Sequence, residues 1–175
     1  MGELPHFQAL MHQLGGGRFS GGGNNFIPVF PSGPEDKPWA PATTGHIDGY
    51  NTAWRGTGHH RACITLYLNE VEEGQGCFTV WKGGARRIHR FFRDHPAQLD
   101  GHFYDAPFFK DRGWNALHDE GGRLEVAPQG MQFVGKPGDC ILWHGSCPHS
   151  VSPNRRDQPR LAMIGAPPLH RPPSL

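Results

Sequence analysis

The chain has 175 residues, 36% of them apolar and 19% charged, and a net charge of +1. That length favours one domain, and the near-neutral charge argues against a nucleic-acid or membrane-surface partner. The 25 glycines and 17 prolines disfavour a helical bundle, while 11 Phe, 5 Trp and 3 Tyr are too many for an unfolded chain. No run approaches the ~20 apolar residues of a membrane helix. No secretory leader is legible at the N-terminus, so the expected location is the cytoplasm. Cys63, Cys77, Cys140 and Cys147 form no Cys-x-x-Cys pair and are expected to be free core thiols. Twelve histidines are the unusual feature.

Phe7 to Leu14 predicts a short helix, with Phe7, Leu10, Met11 and Leu14 on one face and a glycine-rich loop after it. Strands are predicted over Asn25 to Phe30, Thr43 to Tyr50, Arg61 to Val71 and Cys77 to Trp81. The turn Glu72 to Gly76 would make the last two a hairpin. Ala85 to Asp94 reads as a helix with Ile88, Phe91 and Phe92 inward and its arginines in water. Asp100 to Gly122 is aromatic and aperiodic, as a lid or binding loop would be. Leu124 to Ala127, Met131 to Val134, Asp139 to Trp143 and Arg160 to Ile164 supply further strands. About eight strands suit a small sandwich or barrel, giving an all-β fold in one domain over residues 1–175.

The chemistry concentrates in two stretches. In Gly45-His46-Ile47-Asp48-Gly49, a strand points His46 and Asp48 to one face and Ile47 to the other. Both side chains can reach one metal ion, which needs a third ligand. The stretch Gly138-Asp139-Cys140-Ile141-Leu142-Trp143-His144-Gly145-Ser146-Cys147-Pro148-His149 offers His144 or His149. Two histidines and a carboxylate on one side of an ion leave positions open, which suits Fe(II) with oxygen. Arg160, 11 residues after His149, begins an apolar strand and offers a fork for a carboxylate. Open metal positions beside such an arginine describe a site for a chelating keto-acid.

Taken as an ordered set, these residues resemble the phytanoyl-CoA dioxygenase family of Fe(II)- and 2-oxoglutarate-dependent oxygenases, over roughly residues 24 to 168. The resemblance rests on Gly45 to Gly49, on Tyr67-Leu68-Asn69-Glu70-Val71 with Gly76 to Gly83, and on Gly138-Asp139, His144, His149, Asn154 and Arg160. It implies a double-stranded β-helix, or jelly roll, with one or two short flanking helices. It implies His46, Asp48 and His149 as Fe(II) ligands, and Arg160 as the partner of the far carboxylate of 2-oxoglutarate. The His-to-Arg separation selects His149 and leaves His144 as a satisfied core or supporting histidine. Thr65 and Asn25 would line the cosubstrate pocket, strand packing being the alternative for each.

The implied reaction consumes dioxygen and 2-oxoglutarate, releases succinate and carbon dioxide, and hydroxylates a small organic molecule. Related halogenases lack the carboxylate ligand, so Asp48 points to hydroxylation or desaturation. Tyr50, Asn51 and Trp54 would line the substrate entrance, and Trp114 and His118 would cover it; ordinary packing is their alternative role. Where relatives place a serine two residues past the second histidine, this chain has Val151, so Ser150 or Ser152 substitutes for it or cosubstrate affinity changes. The chain is short for the family, and a homodimer is one way to cover its sheet. The rival readings are a cupin-like metalloenzyme that does not use 2-oxoglutarate and a non-catalytic jelly-roll module stabilised by metal.

Overall fold

A computed structural model describes residues 5–14, 24–32, 39–40, 42, 45–47, 59–99, 130–145, 147–165 and 168–170. Helix α1 spans Pro5–Leu14 and strand β1 spans Asn24–Val29. Then come β2 (His59–Tyr67), β3 (Phe78–Val80) and helix α2 (Gly84–Asp94), which runs into a 3-10 turn at Pro96–Leu99. The chain continues with β4 (Met131–Phe133), β5 (Cys140–His144), β6 (His149–Val151), β7 (Arg160–Gly165) and β8 (Pro168–His170).

The large sheet has the order β1-β7-β2-β5, with β8 paired to β2; the small one has the order β4-β3-β6. His46 bridges to His149 and so adds the 45–47 segment beside β6. All the pairings are antiparallel. From β1 to β7 the chain passes large, small, large, small, small, large, small, large, which is the jelly-roll circuit expected from the sequence. Closing two sheets face to face buries the apolar side of each without needing long helices.

Register decides which side chains face inward. Asn25 pairs with Ile164, Ile164 with Thr65, and Thr65 with Ile141. Directly opposed residues share a face, so these four form one row across the large sheet. Two residues along lies the row Ile27, Ala162 and Tyr67, and beyond it Val29 with Arg160. Phe78, Val80 and His149 close the other side, where Phe78 meets Trp143 at a ring distance of 5.3 Å. The core comprises Cys63, Tyr67, Val71, Cys77, Phe78, Val80, Trp143 and Ala162.

Four expectations change. The strand containing Phe78 to Val80 does not form a hairpin with β2; it pairs with β4 and β6. All three of its residues are buried, so it needs cover on both faces, and the Glu72–Gly76 turn carries the chain across to the second sheet. The apolar run after Gly138-Asp139 reads as a buried strand, yet among the described residues β5 is the last strand of its sheet and only Trp143 on it is buried. The cysteines are free, but only Cys63 and Cys77 are core thiols; Cys147 is half-buried and Cys140 exposed. His144 is exposed rather than a core histidine, because it follows Trp143 and so points outward. Leu124 to Ala127, the Asp100 to Gly122 loop and most of the Thr43 to Tyr50 strand lie outside the described residues.

The α2 helix forms as its pattern dictates. Ile88 and Phe92 are buried and its arginines are exposed. Among the described residues, no helix is long and apolar enough to cross a membrane.

Candidate active site

The 45–47 segment and β6 bring two histidines together. His46 N donates to the His149 carbonyl and His149 N to the His46 carbonyl, both at 2.9 Å. Such a reciprocal pair places both side chains on one face. Their rings lie 4.2 Å apart, centroid to centroid, at 54°. Two imidazoles so placed can converge on one ion at the ~2 Å reach of a nitrogen ligand.

Local packing holds them there. The intervening Ile47 is 2% exposed and turns the other way. A Cβ on Gly45 would stand 2.5 Å from the Trp81 ring and 2.7 Å from the His149 carbonyl oxygen. Only a residue without a side chain lets this segment approach β6 closely enough for the bridge. At the other end of the pair, Gly84 at the start of α2 abuts Pro148, where a Cβ would lie 2.7 Å away. The helix therefore braces the residue before His149.

The His149 ring is held on three sides. Its centroid is 4.1 Å from that of Trp143 and 5.6 Å from that of Phe78. Its Nδ1 lies 2.9 Å from the Cys147 carbonyl oxygen. A carbonyl only accepts, so this contact puts the proton on Nδ1, the tautomer in which Nε2 is the metal-ligating nitrogen. Asp48, the carboxylate of the expected triad, lies outside the described residues. Among the described residues no group of three or more His, Cys, Asp or Glu could hold a metal; the structure supplies the histidine pair.

Arg160 occupies the inner face of the large sheet with 0% exposure. Among the described residues its Nε and both terminal nitrogens have no hydrogen-bond partner. Burial pulls its pKa down, and the nearby Tyr67 hydroxyl and Cys77 thiol partly offset that. A buried guanidinium with idle donors calls for an anionic partner, and a carboxylate matches its fork.

The backbone around Arg160 is fixed by side chains the sequence reading did not single out for this task. The Asn69 amide donates to the Pro159 carbonyl at 2.9 Å, and its Oδ1 accepts from Leu161 N at 2.8 Å, gripping both sides of Arg160. Asn154 donates to the carbonyls of Val29 and Gln158 and accepts from Arg156 N, holding the turn that leads there. A strand-end Asn is the only sequence trace of such a clamp. Tyr67, named only as part of the motif carrying the resemblance, has a structural task as well. Its hydroxyl donates to the Phe133 carbonyl at 2.7 Å and accepts from Phe78 N at 3.0 Å, tying the two sheets together. Burial pushes its pKa up to about 12.

Thr65 is fully buried, and its hydroxyl accepts from Trp143 Nε1 at 3.2 Å. Asn25 is exposed at the open end of the same inward row. Neither serine beside Val151 can stand in for it. Val151 shares the face of His149, and alternation puts Ser150 and Ser152 on the opposite one. The Ser152 hydroxyl is instead within 2.9 Å of Thr79 Oγ1 and accepts from Gln132 Nε2 and Ala42 N. Tyr50, Asn51, Trp54, Trp114 and His118 lie outside the described residues. Burial pushes the Cys77 and Cys147 thiols up, so neither is a ready thiolate nucleophile.

No protein-family profile and no curated protein matches the chain. Solved structures do. The epimerase SnoN, in complex with Fe3+, alpha-ketoglutarate and nogalamycin RO, aligns at a TM-score of 0.62 and 20% identity, covering 96% of this chain and 58% of that one. EvdO2 from Micromonospora carbonacea var. aurantiaca aligns at 0.53 and 16% identity, covering 97% and 62%. AviO1 from Streptomyces viridochromogenes Tue57 aligns at 0.54 and 14% identity, covering 97% and 61%. At these identities the likeness establishes the fold, and the chain spans about three-fifths of each neighbour's length.

Proposed function

We propose that the protein is a non-haem Fe(II)- and 2-oxoglutarate-dependent dioxygenase that hydroxylates a small organic molecule. His46, Asp48 and His149 would hold the metal, and Arg160 would hold the far carboxylate of 2-oxoglutarate. The observation that carries this reading is Arg160: a fully buried cation on the inner face of the large sheet, whose guanidinium nitrogens have no hydrogen-bond partner among the described residues. The fold shared with SnoN, whose structure contains Fe3+ and alpha-ketoglutarate, supports it. The donor set agrees as well, since two imidazoles and a carboxylate leave coordination positions open.

Bound there, the iron and its keto-acid would supply the oxidising power. The chain supplies placement. The Cys147 carbonyl fixes the tautomer of His149, and the Trp143 and Phe78 rings prevent it from turning. Arg160 would neutralise the distal carboxylate and set its direction. Thr65 and Ile164, in a row of the same inner face, would wall the cosubstrate pocket, and Asn25 would stand at its rim. A metal-only reading, in which Arg160 is structural, leaves its buried donors unexplained.

The test is anaerobic addition of Fe(II) and 2-oxoglutarate, followed by admission of air. The expected result is a visible charge-transfer absorbance, then succinate. Asp48→Ala should lose both while remaining folded. A protein that binds Fe(II) but gives neither absorbance nor succinate would sink the proposal.

A further inference from the structure

The α2 helix carries a second cluster that the proposed active site does not use. Ala85, Arg86, His89, Arg90 and Arg93, with His144 from the end of β5, line a groove of about 430 Å³. Arg86, His89, Arg90 and Arg93 recur at three- and four-residue spacing, so they share one side of the helix. Helix stability does not explain them. Like charges four apart repel, and the first turn of α2, where the helix dipole favours acids, contains none. Arg93 pairs with Asp94 at 2.8 Å. Arg90 lies one turn before Asp94, whose carboxylate feels its charge but is hydrogen-bonded to Arg93. Among the described residues no salt bridge engages Arg86 or Arg90, and both are exposed to the groove.

We infer that this groove is a binding site for a compact polyanion, a phosphate or diphosphate group carried by a small molecule. Arg86 and Arg93 stand about 10 Å apart along the axis at 1.5 Å per residue, the span of a diphosphate with its attachment rather than of one phosphate. Guanidinium forks match phosphate oxygens in pairs. His89 on the helix and His144 on the strand flank the groove, so a ligand would bridge α2 and β5. Arg87 lies on the same helix outside the groove and is equally exposed, which supplies a charge-matched control. The groove is built from α2 and β5 alone, so a ligand can be titrated into it without metal or cosubstrate.

The experiment is calorimetric titration of the full chain with inorganic pyrophosphate at about 0.1 M salt, where long-range attraction is screened. Saturable one-to-one binding is expected. An R86Q/R90Q double variant should weaken it at least tenfold, and R87Q less than twofold. Gln and Arg have similar helix propensity, so the helical circular dichroism should not change. His144→Gln, which leaves α2 untouched, should also weaken binding. No saturable binding, equal losses in R87Q and R86Q/R90Q, or unchanged binding in R86Q/R90Q and His144→Gln would each overturn the inference. So would tighter binding to duplex RNA with a steep salt dependence, which would mark the helix as a polyelectrolyte surface.

Discussion

Replacing Arg160 should separate the stability of this protein from its proposed chemistry. The guanidinium has 0% exposure and three nitrogens without a hydrogen-bond partner among the described residues. An unsatisfied buried donor costs about 1–3 kcal/mol, and more when charged. Methionine has similar reach, adapts to irregular gaps and has no donor to satisfy. Allowing for imperfect packing, Arg160→Met should stabilise the ligand-free protein by about 2 kcal/mol. For a chain of this size that is a rise in Tm of roughly 4–8 °C. Adding 2-oxoglutarate with a redox-inert divalent metal should reverse the order. At a hundred times its Kd, a ligand stabilises the wild type by about 2.7 kcal/mol, and the variant should gain almost none of that. Thermal unfolding with and without ligand reads both effects. An Arg160→Met protein that melts several degrees below wild type without ligand would show that the guanidinium is already satisfied. Equal stabilisation of both proteins by 2-oxoglutarate would remove Arg160 from the cosubstrate site.

Gly45→Ala should push the 45–47 segment off Trp81 and the His149 carbonyl, weakening Fe(II) binding at least tenfold with little loss of overall fold; metal titration checks this. Asn69→Ala removes both bonds flanking Arg160 and should cost about 2 kcal/mol in denaturant unfolding, at about 1 kcal/mol per bond. It should also raise the KM for 2-oxoglutarate more than it lowers kcat. Tyr67 sets the alkaline limit. Its folded pKa of about 12 lies above the unfolded value near 10, so its contribution is complete below pH 10 and is lost as the pH rises towards 12. Two units correspond to about 3 kcal/mol. Denaturant unfolding between pH 9 and 12 should fall more steeply for wild type than for Tyr67→Phe, and parallel curves would refute the assignment.

Local sequence determined most of the described strands and the α2 helix, though not β6 or β8, and it singled out His46, His149 and Arg160 as candidates. Each rests on an interaction within a few residues: alternation for β2 and β7, three- and four-residue spacing for α2, and breakers between them. The implied jelly roll followed from an ordered set of residues, because chain order survives when identity falls to 20% or below against structures of the same fold. What local pattern did not contain was partnership. Glu72 to Gly76 reads as a hairpin turn, yet burial on both faces of Phe78 to Val80 sends that strand to the other sheet. His144 and His149 are the same residue type in the same stretch. Only the pairing of His46 with His149 shows which one meets the other metal-ligand candidate, while His144 turns out to the arginine groove. The Asn69 clamp spans 92 residues to Leu161, and neither stretch alone names its partner. Hydrogen bonds and close approaches between distant segments depend on register, and register is settled only when two sheets close on a common core.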